Sequence, residues 1–183
     1  MQLLKDRQFV MFALKFLILF AIFYFTTTLI IALAAPGGLY SPFVQKYLDY
    51  VTALAKSLEW GTRSFVKVFG YDTYILPNFI VRIVNGTGIR IAFNCLGYGV
   101  MSFWLAYVLA TAKPWLKKFG WVIFGWVLLW IINVIRLGLL LLAYNKNWEM
   151  PLGIDHHTWF NICAYGAIFT MMYFFERKSK NKP

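Results

Sequence analysis

Charge is what this sequence has least of. Asp, Glu, Lys and Arg make up 14% of its 183 residues, where a soluble domain carries about a quarter. Hydrophobic residues account for 61% and aromatics for 20%. Such a chain has too few polar side chains to cover a water-facing surface, which argues for an integral membrane protein. Negative charge is scarcer still: seven acidic residues stand against 18 basic ones, for a net charge of +11. The basic residues sit beside apolar runs and not along one exposed stripe, which argues against a nucleic-acid partner. Cysteine occurs only at Cys95 and Cys163, and histidine only at His156 and His157. No C-x-x-C is present, which disfavours a dithiol redox site. Two adjacent histidines and a thiol make a poor ligand set, so neither a metal nor a cofactor is expected. Cys163 lies inside an apolar run, which disfavours a structural disulfide and makes it a small packing residue. The chain has no internal repeat and no low-complexity tract.

What the sequence does have is apolar runs. The first, residues 9–35, is broken only by Lys15 and exceeds the roughly 20 residues that a bilayer requires. A secretory signal is the competing reading, because "ALAAP" resembles a cleavage site. The run is longer than the 7–15 residues, roughly, of a signal's apolar region, which favours a retained helix. Three further spans are expected over residues 96–112, 119–144 (interrupted by Arg136) and 158–175. The result is an all-α membrane protein of about four transmembrane helices, forming one domain over 1–183.

Between the first two spans lies a segment, 36–94, of different character. "APGGLYSP" breaks the helix. From Phe43 to about Phe69 the pattern turns amphipathic, with Phe43, Tyr47, Tyr50, Leu54 and Leu58 at helical spacing. No charge-free stretch there is long enough to span, so a helix lying on the membrane surface is expected. "FIVRIVNGTGIRIAF" then places β-branched residues either side of Asn85-Gly86, a strong signal for a short β-hairpin.

Loop charge sets the expected orientation. "KPWLKK" (113–118) and the tail "ERKSKNKP" are basic, whereas residues 145–157 balance Lys146 against Glu149 and Asp155. The positive-inside rule puts the basic loop and both termini in the cytoplasm, and 36–94 and 145–157 outside. A bacterial or archaeal cytoplasmic membrane is the expected location.

That topology gathers three reactive groups at the outer face. Cys95 heads the second span, His156 and His157 head the fourth, and Arg136 lies in the outer half of the third. A cysteine is often only a small packing residue, and a histidine at a helix start is often only solvated. Arg136 is different, because a charge within a span costs at least about 2.5–3.5 kcal/mol on insertion scales. Asn133 lies one turn earlier on the same face, where it would orient Arg136. Asp155 is a candidate partner for Arg136 or for either histidine. A helix N-terminus and a nearby cation both favour a thiolate. Arg136 would then donate to an oxyanion, and a histidine would act as general base and acid. Gly97 and Gly99 allow either close backbone approach or close helix packing.

Three stretches carry a resemblance: "NCLGYGVMSFW" around Cys95, "NVIRLGLL" with Asn133 and Arg136, and "DHHTWFN" with His156, His157 and Asn161. In that order, over about 79–175, the chain resembles the exosortase/archaeosortase family of membrane cysteine transpeptidases. The resemblance implies a Cys95–Arg136–His157 site, with His156 as the alternative; the family often has glycine four residues after its histidine, and Asn161 occupies that register after His157. It implies attack by the thiol on a C-terminal sorting signal, composed of a short motif, a transmembrane helix and a basic tail. The implied partners are membrane-anchored proteins bearing that signal. A thiol protease ending in hydrolysis is one rival. A non-catalytic scaffold of an envelope assembly, with Arg136 as an interhelical clamp, is another.

Overall fold

The computed structural model describes residues 7–35, 39–148, 153 and 156–177, without the side chains of 156 and 157. Its elements are α1 (Arg7–Ala34), α2 (Pro42–Tyr47), α3 (Tyr50–Val68), β1 (Thr73–Leu76), β2 (Ile80–Ile83), β3 (Gly88–Arg90), α4 (Tyr98–Ala110), α5 (Trp115–Asn145) and α6 (His156–Arg177). All four apolar runs are helical. Two of the helices, α1 with 28 residues and α5 with 31, are long and apolar enough to cross a membrane. The run at 96–112 yields a helix of only 13 residues, α4. Its first residue is Tyr98 because Gly97, at φ 75°, turns the chain through the left-handed region that favours glycine.

α1, α4, α5 and α6 alternate in direction. Phe12 meets Tyr107 while Tyr24 meets Tyr98, so α1 and α4 run antiparallel. The Trp104 indole N–H donates to the Trp121 carbonyl at 2.9 Å, and the Trp126 indole reaches Met101 at 3.4 Å, which aligns α4 against α5 in the opposite sense. α6 returns along α5, with Phe160 near Arg136 and Phe175 against Trp121. Small residues permit this closeness. A Cβ on Gly125 would collide with the Trp104 indole, so the two helices approach as nearly as backbone and ring allow.

The segment between α1 and α4 corrects two expectations. One amphipathic helix over 43–69 is in fact two, broken at Leu48 and Asp49. The Asp49 carboxylate accepts from Thr52 N–H at 2.9 Å and caps α3, a contact that contributes about 1 kcal/mol. The buried face is Val51, Ala55, Leu58, Thr62 and Val66, while Phe43, Tyr47 and Tyr50 stay exposed. Of the residues at helical spacing, Leu58 belongs to this buried face and Leu54 packs beside it, while the aromatics lie on the outer surface. α3 packs against α5 along Gly61, where an added Cβ would strike Val134 and Trp130. The second correction concerns the strands. Asn85-Gly86 does turn a hairpin between β2 and β3, with Ile83 N–H donating to Thr87 O at 2.9 Å. A further strand, β1, pairs antiparallel with β2 and makes a three-stranded sheet of order β1-β2-β3. Asn78 and Phe79, at φ 65° and 60°, form the tight link between β1 and β2.

Two cores result. One joins α3, the sheet, Cys95, Leu96 and the Asn145 half of α5. The other joins α4, α6 and the Trp115 half of α5. α5 is the only helix with buried residues in both of these cores among the described residues. Its Asn145 end is tied to the sheet, where the Asn145 side-chain carbonyl accepts from Thr87 N–H at 3.2 Å.

Candidate functional site

Arg136 lies on α5 near the boundary between the two cores. It is 9% exposed, and among the described residues its Nε and Nη2 are buried without a hydrogen-bond partner. Leaving charged donors unpaired in a buried site is costly, so such an arrangement calls for an explanation. The guanidinium carbon stands 4.5 Å from the centroid of the Phe160 ring, a cation–π contact that bridges α5 to α6. Its other neighbour is Cys95, whose thiol is close enough to interact with it electrostatically. The structure thus brings Cys95 and Arg136 together from positions 41 apart in sequence.

Cys95 does not head α4, as the sequence suggested. It ends a short 3-10 turn, Phe93–Cys95, closed by its own N–H donating to Ala92 O at 2.8 Å. Leu96 and the left-handed Gly97 separate it from the helix. Cys95 is 7% exposed and free, so the thiol is held in a protected place at the end of a rigid turn. The helix N-terminal field that was expected to favour its thiolate is correspondingly less direct, and the adjacent guanidinium is the nearer cation.

Asn133 is 1% exposed, and its role also differs from expectation. It does not orient Arg136. Its side-chain N–H donates to the Cys95 carbonyl at 2.9 Å, while its own carbonyl oxygen has no partner among the described residues. Asn133 therefore fixes the backbone that carries the thiol. Gly97 completes the cradle, because a Cβ there would stand 3.4 Å from both the Asn133 amide nitrogen and Phe160.

A cleft of about 390 Å³ opens in front of Arg136. Phe20 and Tyr24 of α1 form one side, Gly97, Gly99 and Phe103 the floor, and Phe160, Asn161 and Tyr165 of α6 the other side. Asn161, expected at the site, is in this wall. His156 and His157 occupy the first turn of α6; their side chains and all of Asp155 lie outside the described residues. Cys163 is exposed on α6 and so is not the packing residue expected. Phe160 was not foreseen as a site residue, although its position three residues after His157 places the two on one face of α6.

Comparison with models of protein families, with curated proteins and with solved structures gives no match for this chain.

Proposed function

We propose that the chain is an exosortase-like membrane cysteine transpeptidase with Cys95 as nucleophile, Arg136 as oxyanion donor and His157 as general base and acid. The observation that carries this reading is the buried Arg136 guanidinium, which lies near Cys95 while two of its donors have no acceptor among the described residues. An enzyme requires such donors where charge develops, and unpaired donors in the resting state are ready for it.

In this mechanism the histidine takes the Cys95 proton and the thiolate attacks a peptide carbonyl. Charge passes to the carbonyl oxygen, which accepts from Arg136. The histidine returns its proton to the leaving amine, the C–N bond breaks and a thioester remains on Cys95. An amine nucleophile then takes the acyl group in transfer, or water takes it in hydrolysis. The substrate is a membrane-anchored protein with a C-terminal helix and basic tail. His157 is preferred over His156 because it lies three and four residues before Phe160 and Asn161, both of which line the cleft.

The reading includes four spans, with the Lys113 end of the bundle in the cytoplasm. Lys118 and Arg136 are separated by about 27 Å along α5, close to the roughly 30 Å of a hydrocarbon core. Lys15 on α1 is close enough to Lys118 to interact with it, so in this reading both lysines lie at one level of the bundle. Arg136 then lies near the opposite, extracytoplasmic boundary.

The scaffold alternative draws on the Phe160 contact, since Arg136 does bridge two helices. The two readings part on one experiment. A membrane protein from the same cell with a C-terminal helix and basic tail is followed by gel mobility in cells carrying wild type or Cys95→Ser at equal abundance. Loss of the processed form, together with a hydroxylamine-labile adduct on wild-type Cys95, is expected. Full processing by Cys95→Ser would eliminate cysteine catalysis.

A further inference from the structure

We propose that the cleft between α1, α4 and α6 is a side entrance, through which a polypeptide segment reaches Arg136, and Cys95 buried just behind the lining residues Asn94 and Gly97, from the bilayer and not from the water above. The inference rests on the peptidase reading for the identity of the occupant, but its geometry stands apart from it. α1 packs on α4, α2 and α3, while α6 packs on α5 and α4. The two helices flank the cleft, and α4 forms its floor. The floor is low because Gly97 and Gly99 carry no side chain; the nearest group to a Cβ on Gly99 would be the Tyr24 ring at 3.5 Å. At the inner end stands Arg136, 9% exposed, with buried Nε and Nη2 unpartnered among the described residues. Those two nitrogens are closed off from the cleft, but Arg136 itself lines it, so an occupant that brings an acceptor oxygen is placed to meet the guanidinium.

The wall chemistry favours a peptide over a lipid chain. Asn94 and Asn161 add side-chain amides, and Tyr24, Tyr98 and Tyr165 add phenols, to an otherwise aromatic lining. A chain that leaves helical structure in the absence of water must satisfy its own N–H and C=O groups, and these side chains supply complementary donors and acceptors. A lipid tail needs none of them. The cleft volume, about 390 Å³, falls within the usual range for binding pockets. It suits a short extended segment whose following helix remains outside, between α1 and α6.

The test reads the reactivity of Cys95, which does not require turnover. In a Cys163→Ser background reconstituted in lipid nanodiscs, Cys95 is labelled either with a dodecyl maleimide that partitions into the bilayer or with a sulfonated maleimide that remains in water. The dodecyl probe is expected to react at least tenfold faster. Asn161→Trp, a bulky change at an exposed rim position, should slow it at least tenfold, and Tyr165→Ala should speed it. Equal rates with both probes, or a plug without effect, would overturn the side entrance even if Cys95→Ser abolishes processing. Conversely, a confirmed entrance would stand if processing proved independent of Cys95. The occupant is identified with a photoreactive benzoylphenylalanine at position 165, with position 169 as control. Digestion and sequencing of the adduct should give a segment that immediately precedes an apolar helix, lost on Arg136→Ala. Lipid adducts alone would refute the polypeptide.

Discussion

At the Trp115 end of α5, the Lys118 ammonium donates to the Leu109 carbonyl at 2.9 Å, on the last turn of α4. Beside it, Lys113 donates to the Phe175 carbonyl on the last turn of α6, pairs with Glu176 at 3.3 Å and lies over the Phe175 ring. Each lysine thus closes the C-terminus of a neighbouring helix, where free carbonyls and the helix dipole both attract a cation. Near the other end, Arg136 meets a ring and a thiol, and two of its donors have no partner among the described residues. Burial alone therefore does not distinguish a structural cation from a chemical one. On the proposed reading the unused hydrogen-bonding capacity does, and among the described residues most of it is found where Cys95 is held.

Substitutions should treat the two ends differently. The largest effect is expected at the histidines: His157→Ala should lower processing about 10²–10⁴-fold, the usual cost of losing a general base, while His156→Ala keeps a substantial fraction. Processing per enzyme molecule in matched membranes decides this, and the reverse ranking would move the base by one residue. Arg136→Lys comes next. Lysine keeps the charge but loses the planar fork, so a fall of about 10²–10³-fold is expected, the range for removing an oxyanion donor. Near-normal turnover would make Arg136 a clamp like its counterparts at the far end. Asn133→Ala should cost about tenfold, by freeing the Cys95 carbonyl and leaving it unsatisfied; slower alkylation of Cys95 should accompany the loss if the turn has shifted.

Lys118→Met should show the opposite profile. Loss of the cap costs about 1 kcal/mol, seen as a lower melting temperature in detergent, with activity per folded molecule retained. If activity fell and stability held, the division between the two ends would fail. The smallest effect is expected at Glu59 on α3, whose burial pushes its carboxyl up despite Lys56 nearby. A raised folded-state value means that the protonated form is favoured by folding. The associated stability is present below the ordinary glutamate range and is lost as pH rises through the raised value. Glu59→Gln should therefore stabilise the protein at pH 7, with the advantage shrinking toward pH 4. A melting-temperature difference that is flat across this range would exclude the mechanism.

Whatever depended on composition and short-range pattern was legible in the sequence. The four apolar runs announce α1, α4, α5 and α6, and Asn85-Gly86 announces a turn, because apolar length and turn chemistry are local properties. The pairing of Cys95 with Arg136 was also legible, since alternating helix directions return distant segments to one level. β1 was not, because "TYIL" is too short to establish a period and has no glycine at its turn. Asn133 was misread for a different reason: its partner is a backbone carbonyl in a turn whose presence no side-chain pattern reveals. The lysine caps depend on where neighbouring helices end in space, which the chain's own local pattern does not specify.

The shortness of α4 has a consequence for the surrounding lipid. Thirteen residues rise about 20 Å, some 10 Å less than a typical hydrocarbon core. On the proposed four-span reading, the bilayer next to α4 must thin, or the turn bearing Cys95 must lie below the general membrane surface. Mismatch of this kind changes with acyl-chain length. The depth of the thiol, and with it the rate of reaction, should then follow membrane thickness, making the protein faster in short-chain lipids than in long-chain ones.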